Sequence, residues 1–228
     1  MAWSFGRRRP TTYLLGEAVD PYPAQAPEAR RGKVRRITEI GEPVLHTPAA
    51  AVEQFSTPEL ARLVDDMFAT MENAEGVGLA APQVGVGLRV FVYDLTDERG
   101  DRHLGHVVNP LLEIDEEIGS ESDDEGCLSV PGAYVPLERA LGASVRGVDQ
   151  HGAPVQLSGV GFLARCFIHE AQHLDGTLYW DHLSDEGKAD ALRQRDEERA
   201  HILAGRRELA IELDKVPAQY PDAPAGGR

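Results

Sequence analysis

His169, Glu170 and His173 stand in the order His-Glu-x-x-His. On a helix, residues four apart share one face, one above the other. At roughly 1.5 Å per residue the two imidazoles are about 6 Å apart along the axis. That is near enough for both to close on one metal ion with bonds of about 2.0–2.1 Å. Glu170 lies beside the first of them, where a carboxylate takes a proton from water on such a metal. The chemistry this spacing allows is metal-assisted hydrolysis. The competing account is an amphipathic helix that carries two histidines by chance.

A catalytic centre of this kind needs a third protein ligand and an open position for water. Cys166 shares the helix face but sits seven residues from His173. That is about 10 Å along the axis, too far for one ion, and Cys166 reads as a small buried hydrophobe. The metzincin continuation fails as well. Gly176 fits it, but Tyr179 stands where the third histidine belongs. His46, His103, His106, His151, His182 and His201 have no motif around them and read as surface or capping residues. Cys127, in a glycine-flanked turn, is the best candidate, since a thiolate suits Fe(II) or Zn(II). A downstream glutamate is the alternative.

Other elements must position these groups. Thr57 caps a helix, Pro58 opens it and Glu59 follows in its first turn. Leu60, Leu63, Val64, Met67, Phe68 and Met71 recur at helical spacing, so the helix buries one face and ends before Gly76. Residues 76–85 are small and glycine-rich, with one amide, Gln83, that must find partners if buried. Residues 89–94 and 106–108 read as strands, and residues 143–148 and 155–157 as an antiparallel hairpin around a turn at 149–152. The acid-dense stretch 111–125 reads as a solvated loop or edge. The His-Glu-x-x-His helix starts near 159–162 and carries apolar residues on more than one side, which places it among the strands.

The net charge of −15 is uneven, with a basic N-terminal segment ahead of a strongly acidic body. An acidic body argues against binding a phosphate backbone, so no DNA partner is expected. No apolar run reaches the ~20 residues of a membrane span. Arg7-Arg8-Arg9 is not followed by an apolar core, so an export signal is a poor reading. Two cysteines, Cys127 and Cys166, indicate no disulfide framework. A cytoplasmic location is expected.

Three stretches in this order resemble the peptide deformylase family: Gly76 through Gln83 (G-x-G-x-A-A-x-Q), Glu125 through Ser129 (E-G-C-x-S), and His169 through His173 (H-E-x-x-H). The resemblance covers roughly residues 34–184. It implies that Cys127, His169 and His173 bind one divalent metal per chain, natively Fe(II), with Zn, Ni or Co able to substitute. It makes Glu170 the general base and then acid. It makes Gln83 and the Leu128 N–H the donors to the oxyanion. It makes Val77, Gly78 and Gly126 the residues that pair with the substrate backbone. The implied reaction releases formate from N-formylmethionyl N-termini of newly made proteins, with a transient ribosome contact. The alternative is an altered paralogue that acts on another amide or binds nascent N-termini without turnover. Two positions depart from the family pattern: Ile168 stands where glutamine is common before the first histidine, and Gln172 where aspartate is common before the second.

The expected fold is α+β. A central metal-binding helix is surrounded by mainly antiparallel sheets, with a packed N-terminal helix and a C-terminal helix. The expected organisation is a mobile extension over 1–33, a catalytic domain over 34–184, a helix over 185–214 and a flexible tail over 215–228.

Overall fold

A computed structural model describes residues 10–221. In chain order the elements are β1 (Thr12–Leu14), β2 (Glu17–Val19), α1 (Pro27–Arg31), α2 (Pro58–Asn73), β3 (Gly78–Ala80), β4 (Val90–Thr96), β5 (Arg102–Cys127), β6 (Val130–Val148), β7 (Pro154–Val160), α3 (Phe162–Leu174) and α4 (Asp185–Glu212). Strand pairing is antiparallel except between β1 and β5. The fold is α+β, as expected.

The long strand β5 makes the architecture. Its first part, through Val108, pairs with β4, and from Leu111 onward it pairs with β6 alone. Between them Asn109 takes φ 52, a left-handed conformation that asparagine tolerates better than most residues. Its side chain holds the bend by hydrogen-bonding both backbone groups of Val52, at 2.8 and 2.9 Å. The sheet therefore folds over, and α3 lies in the fold. On one side α3 meets Phe91, Tyr93 and Val107, on the other Val145, Val155 and Leu157. Phe167 of α3 packs edge-on to Tyr93 with ring centroids 5.4 Å apart. Burying a side chain of this size contributes roughly 1.5–3 kcal/mol. The chain enters α3 at Gly161, and Glu98 from the β4–β5 turn accepts the Phe162 N–H at 2.8 Å. An acid there satisfies one free N–H and suits the positive end of the helix dipole.

Helix α2 starts as the sequence predicts, with the Thr57 hydroxyl accepting the Leu60 N–H. Its apolar stripe forms a second core with Leu79, Val90, Val92 and Val108.

Two expectations differ from the structure, and a third is decided between its alternatives. Within the stretch expected to be a mobile extension, residues 12–31 form β1, β2 and α1. Strand β1 adds to the edge of β5, the Thr11 N–H reaches the Asp101 carboxylate at 2.8 Å, and Arg31 ion-pairs with Asp65 of α2. Long-range partners order a segment that has no periodicity of its own. Residues 1–9 lie outside the described residues. Of the two alternatives for the acid-dense stretch 111–125, loop or edge, the structure shows the edge: an exposed strand whose backbone partners come from β6 alone. In the expected flexible tail, Lys215 donates to the Arg30 and Gly32 carbonyls, and the Tyr220 hydroxyl accepts the Ile37 N–H. Residues 222–228 of that tail lie outside the described residues. Among the described residues no helix is long and apolar enough to cross a membrane.

His106 gives the fold a pH dependence. It is buried, and its Nε2 accepts the Gln150 N–H at 3.0 Å, capping the turn at 149–152. Burial lowers its pKa to about 4. Between pH 6.5 and 4 the unfolded chain binds a proton here and the folded chain does not. The stability present above pH 6.5 is therefore lost as pH falls towards 4, by roughly 3 kcal/mol. His106→Gln keeps an acceptor at similar reach and does not titrate. Urea unfolding at pH 7 and pH 4.5 should show the wild type losing roughly 2–3 kcal/mol more than this variant. Equal losses in the two proteins would remove His106 as the cause.

Candidate active site

Cys127 ends β5, and His169 and His173 lie one turn apart on α3. The fold brings these three together, buried, with one ligand atom from each within 4.8 Å of the others. His173 Nε2 is 3.2 Å from His169 Nε2 and 3.3 Å from Cys127 Sγ. Tetrahedral bonds of about 2.0–2.3 Å require donors roughly 3.3–3.6 Å apart, so the donor set fits a single small cation. Both the spacing and the chemistry, one sulfur and two imidazole nitrogens, suit a divalent transition metal. The proposed downstream-glutamate alternative brings no carboxylate into this group.

Glu125 fixes the first histidine. Its carboxylate accepts from His169 Nδ1 at 2.7 Å, which turns Nε2 inward. The same carboxylate accepts Arg139 Nε and Nη2 at 2.9 and 2.6 Å and Arg165 Nη1 at 3.0 Å. Burial opposes its charge, but the hydrogen bonds from Arg139 and His169 outweigh burial and hold the carboxyl well below the usual range. Burial also opposes charge on both imidazoles. At His169 the neighbouring Cys127 and Glu125 overcome it and raise the pKa, while His173 is left neutral.

Glu170 is buried, and its Oε2 has no hydrogen-bond partner. Burial pushes its carboxyl up to about 7, the range in which a carboxylate works as a base and then as an acid. Cys166 lies beside it. Burial first, then the charge of Glu170, raises that thiol well above its ordinary value, so it stays protonated. Gly78 explains how Glu170 fits: a Cβ there would run into the Glu170 carboxylate and Cys166 Sγ.

Gln83 is fully buried in the 3-10 turn Ala81–Val84. Its Oε1 accepts the Ala80 N–H at 2.8 Å, which aims Nε2 at Cys127 Sγ (3.6 Å) and Ser129 Oγ (3.3 Å). Val77, Gly78, Gly126 and Leu128 line one cavity of about 330 Å³ with Cys127, His169 and Glu170. Strand β3 pairs with β4 alone, and the end of β5 pairs with β6 alone, so each has one side without a neighbouring strand. Ile168 points away from it, packed against Ala143 and Ala164. No side-chain hydrogen bond joins Ile168 or Gln172 to either histidine, and His173 Nδ1 has no hydrogen-bond partner among the described residues.

Several residues at the site carried no role in the sequence reading. They are Glu125, Arg139 and Arg165 behind His169, and Tyr134, Ile202 and Arg206 around the cavity mouth. Arg165 left a signal, a charge four residues before His169 on a helix otherwise apolar there. Arg206 left none, since its helix looks like an exposed, charged one.

A buried carboxylate, a three-ligand cluster and an amide donor aimed at one cavity define a hydrolase. Comparison with known proteins narrows the class. The polypeptide deformylase family model matches residues 34–189. "Peptide deformylase 1" of Streptomyces avermitilis is 49% identical over 184 residues, 79% of this chain and 84% of the relative. The peptide deformylase of Acidothermus cellulolyticus is 50% identical over 160 residues, covering 70% and 84%. Among solved structures, a peptide deformylase from Legionella pneumophila superposes with a TM-score of 0.66 at 39% identity, over 74% of this chain and 96% of that one. The peptide deformylase from Thermus thermophilus gives 0.61 at 37% identity, over 77% and 99%. The chain belongs to the peptide deformylase family, and it is an enzyme of that kind.

Proposed function

We propose that this enzyme removes the formyl group from N-formylmethionyl peptides of newly made proteins, in a metal-dependent hydrolysis that releases formate. The observation that carries the reading is the convergence of Cys127 Sγ, His169 Nε2 and His173 Nε2 beside the buried Glu170 carboxylate, whose Oε2 has no hydrogen-bond partner. Those three residues would hold one divalent ion, Fe(II) natively, with Zn, Ni or Co able to replace it. When bound, it would acidify water and polarise the formyl carbonyl.

The chain's own residues do the rest. The peptide lies along the backbone of Val77, Gly78 and Gly126 as an added strand. Glu170 takes the proton from the attacking water and passes it to the departing amine. Gln83 Nε2 and the Leu128 N–H donate to the formyl oxygen as it gains charge. The catalytic unit spans 34–184, and it acts in the cytoplasm on emerging chains, with a transient contact to the ribosome.

The test is formate release from formyl-Met-Ala-Ser by anaerobically prepared, Fe(II)-loaded protein, with acetyl-Met-Ala-Ser as the comparison. Rapid release from the formyl peptide alone is expected. No turnover despite one metal per chain, or equal turnover of the acetyl peptide, would overturn the reading.

A further inference from the structure

The outer wall of the cavity comes from α4. Four positions on one face of this helix follow the start of β6. Gln194 accepts the Tyr134 N–H at 2.9 Å and donates to its carbonyl at 3.0 Å. The Glu198 side chain packs where a Cβ on Gly132 would stand. Ile202 and Arg206 then reach the cavity itself.

Arg206 is only 6% exposed. Its Nη2 donates to the Leu128 carbonyl at 3.1 Å. Its Nε and Nη1 have no hydrogen-bond partner, and among the described residues it makes no ion pair. A guanidinium placed this way is a poor stabiliser, because one neutral acceptor does not offset the loss of its hydration. What its single bond does is fix the Leu128 backbone. Neighbouring groups of the turn have partners of their own. Its side chain lies against Gly76, the Ser129 N–H reaches Cys127 Sγ at 3.4 Å, and the Ser129 carbonyl accepts the Ile40 N–H at 2.9 Å. Arg206 thus holds the carbonyl side of the peptide unit whose N–H side, at Ser129, meets Cys127 Sγ.

We propose that Arg206 is a positioning residue of the deformylase site: by holding the Leu128 carbonyl it fixes the Leu128–Ser129 peptide unit, and so anchors the turn that carries the Leu128 N–H, the donor to the formyl oxygen. The inference rests on the role given to Leu128 above. Arg206 lies beyond residues 34–189, the part matched to the family model, so a segment outside that match completes the site.

The test compares Arg206→Met and Arg206→Lys with wild type as full-length, metal-loaded proteins. The readouts are kcat and KM on formyl-Met-Ala-Ser, bound metal and melting temperature. A donor to the oxyanion acts mainly in the transition state. The Met variant should therefore lose roughly tenfold or more in kcat, with KM changed by less than about twofold. Its metal content should stay at wild-type level, and its melting temperature should hold or rise. The Lys variant should recover part of kcat. Unchanged kcat, a loss confined to KM, or a kcat loss that comes with metal loss or a lower melting temperature would each overturn the proposal. A wild type inactive on every formyl peptide refutes the site reading and this inference with it. An active wild type matched by Arg206→Met refutes the inference alone.

Discussion

Replacing Glu170 with alanine should lower kcat on a formyl-methionyl peptide by about 10²–10⁴-fold, the range for loss of a positioned acid–base group. The geometry makes this a clean experiment. Glu170 donates no ligand to the Cys127–His169–His173 cluster, so bound metal should persist. Its carboxylate lies against Gly78 and Cys166, and Oε2 is buried without a partner. An ionised carboxyl there costs folding energy, and at Oε2 no hydrogen bond offsets it. Glu170→Gln, close in shape and uncharged, should therefore raise the melting temperature while turnover collapses. Activity retained to within about tenfold in either variant would remove Glu170 from the mechanism.

The second large effect is expected at Glu125. Its carboxylate sits under Arg139 and Arg165 and orients His169. Glu125→Ala strands two buried guanidinium groups and frees the His169 ring. Breaking a buried ion pair from one side typically costs about 3–5 kcal/mol. Removing the partner of a metal-binding histidine typically costs roughly 10–100-fold in metal affinity. Denaturant unfolding and metal titration measure the two losses separately. The pH sign follows from the lowered pKa of Glu125. Its stabilisation is fully present above the ordinary carboxylate range and is lost as pH falls below it, so the wild type and Glu125→Ala should converge in acid. A variant that keeps wild-type stability and metal affinity at neutral pH would show the cluster to be ornamental.

The parts of the fold legible in the sequence are those that local chemistry decides. The Thr57–Pro58 start and apolar stripe of α2 depend on neighbours within a few turns, and both are found as read. The hairpin around residues 149–152 and the apolar surround of α3 were legible for the same reason. The acid-dense half of β5 was legible only as a solvated loop or edge. Its side chains face solvent, so no alternation marks it, and only the β6 backbone makes it a strand. Residues 12–31 were hidden because what orders them lies far along the chain, as in the bond from Thr11 to Asp101, 90 residues away.

The candidate site divides in the same way. His169, Glu170 and His173 belong to one helix turn, and a helix of any origin would place them together. The sequence by itself thus determined the chemistry: two imidazoles on one helix face with a carboxylate beside the first, and a cysteine in a glycine-flanked turn. Tertiary structure decided everything that makes those groups selective. Folding β5 over α3 brings Cys127 to within 3.3 Å of His173, 46 residues away. Burial lifts the pKa of Glu170 to about 7, and Glu125 turns the His169 ring. The far end of α4 returns to the catalytic loop across 78 residues, through Arg206 and Leu128. Short-range spacing is written in the chain, but desolvation and long-range contact exist only once the chain has closed on itself.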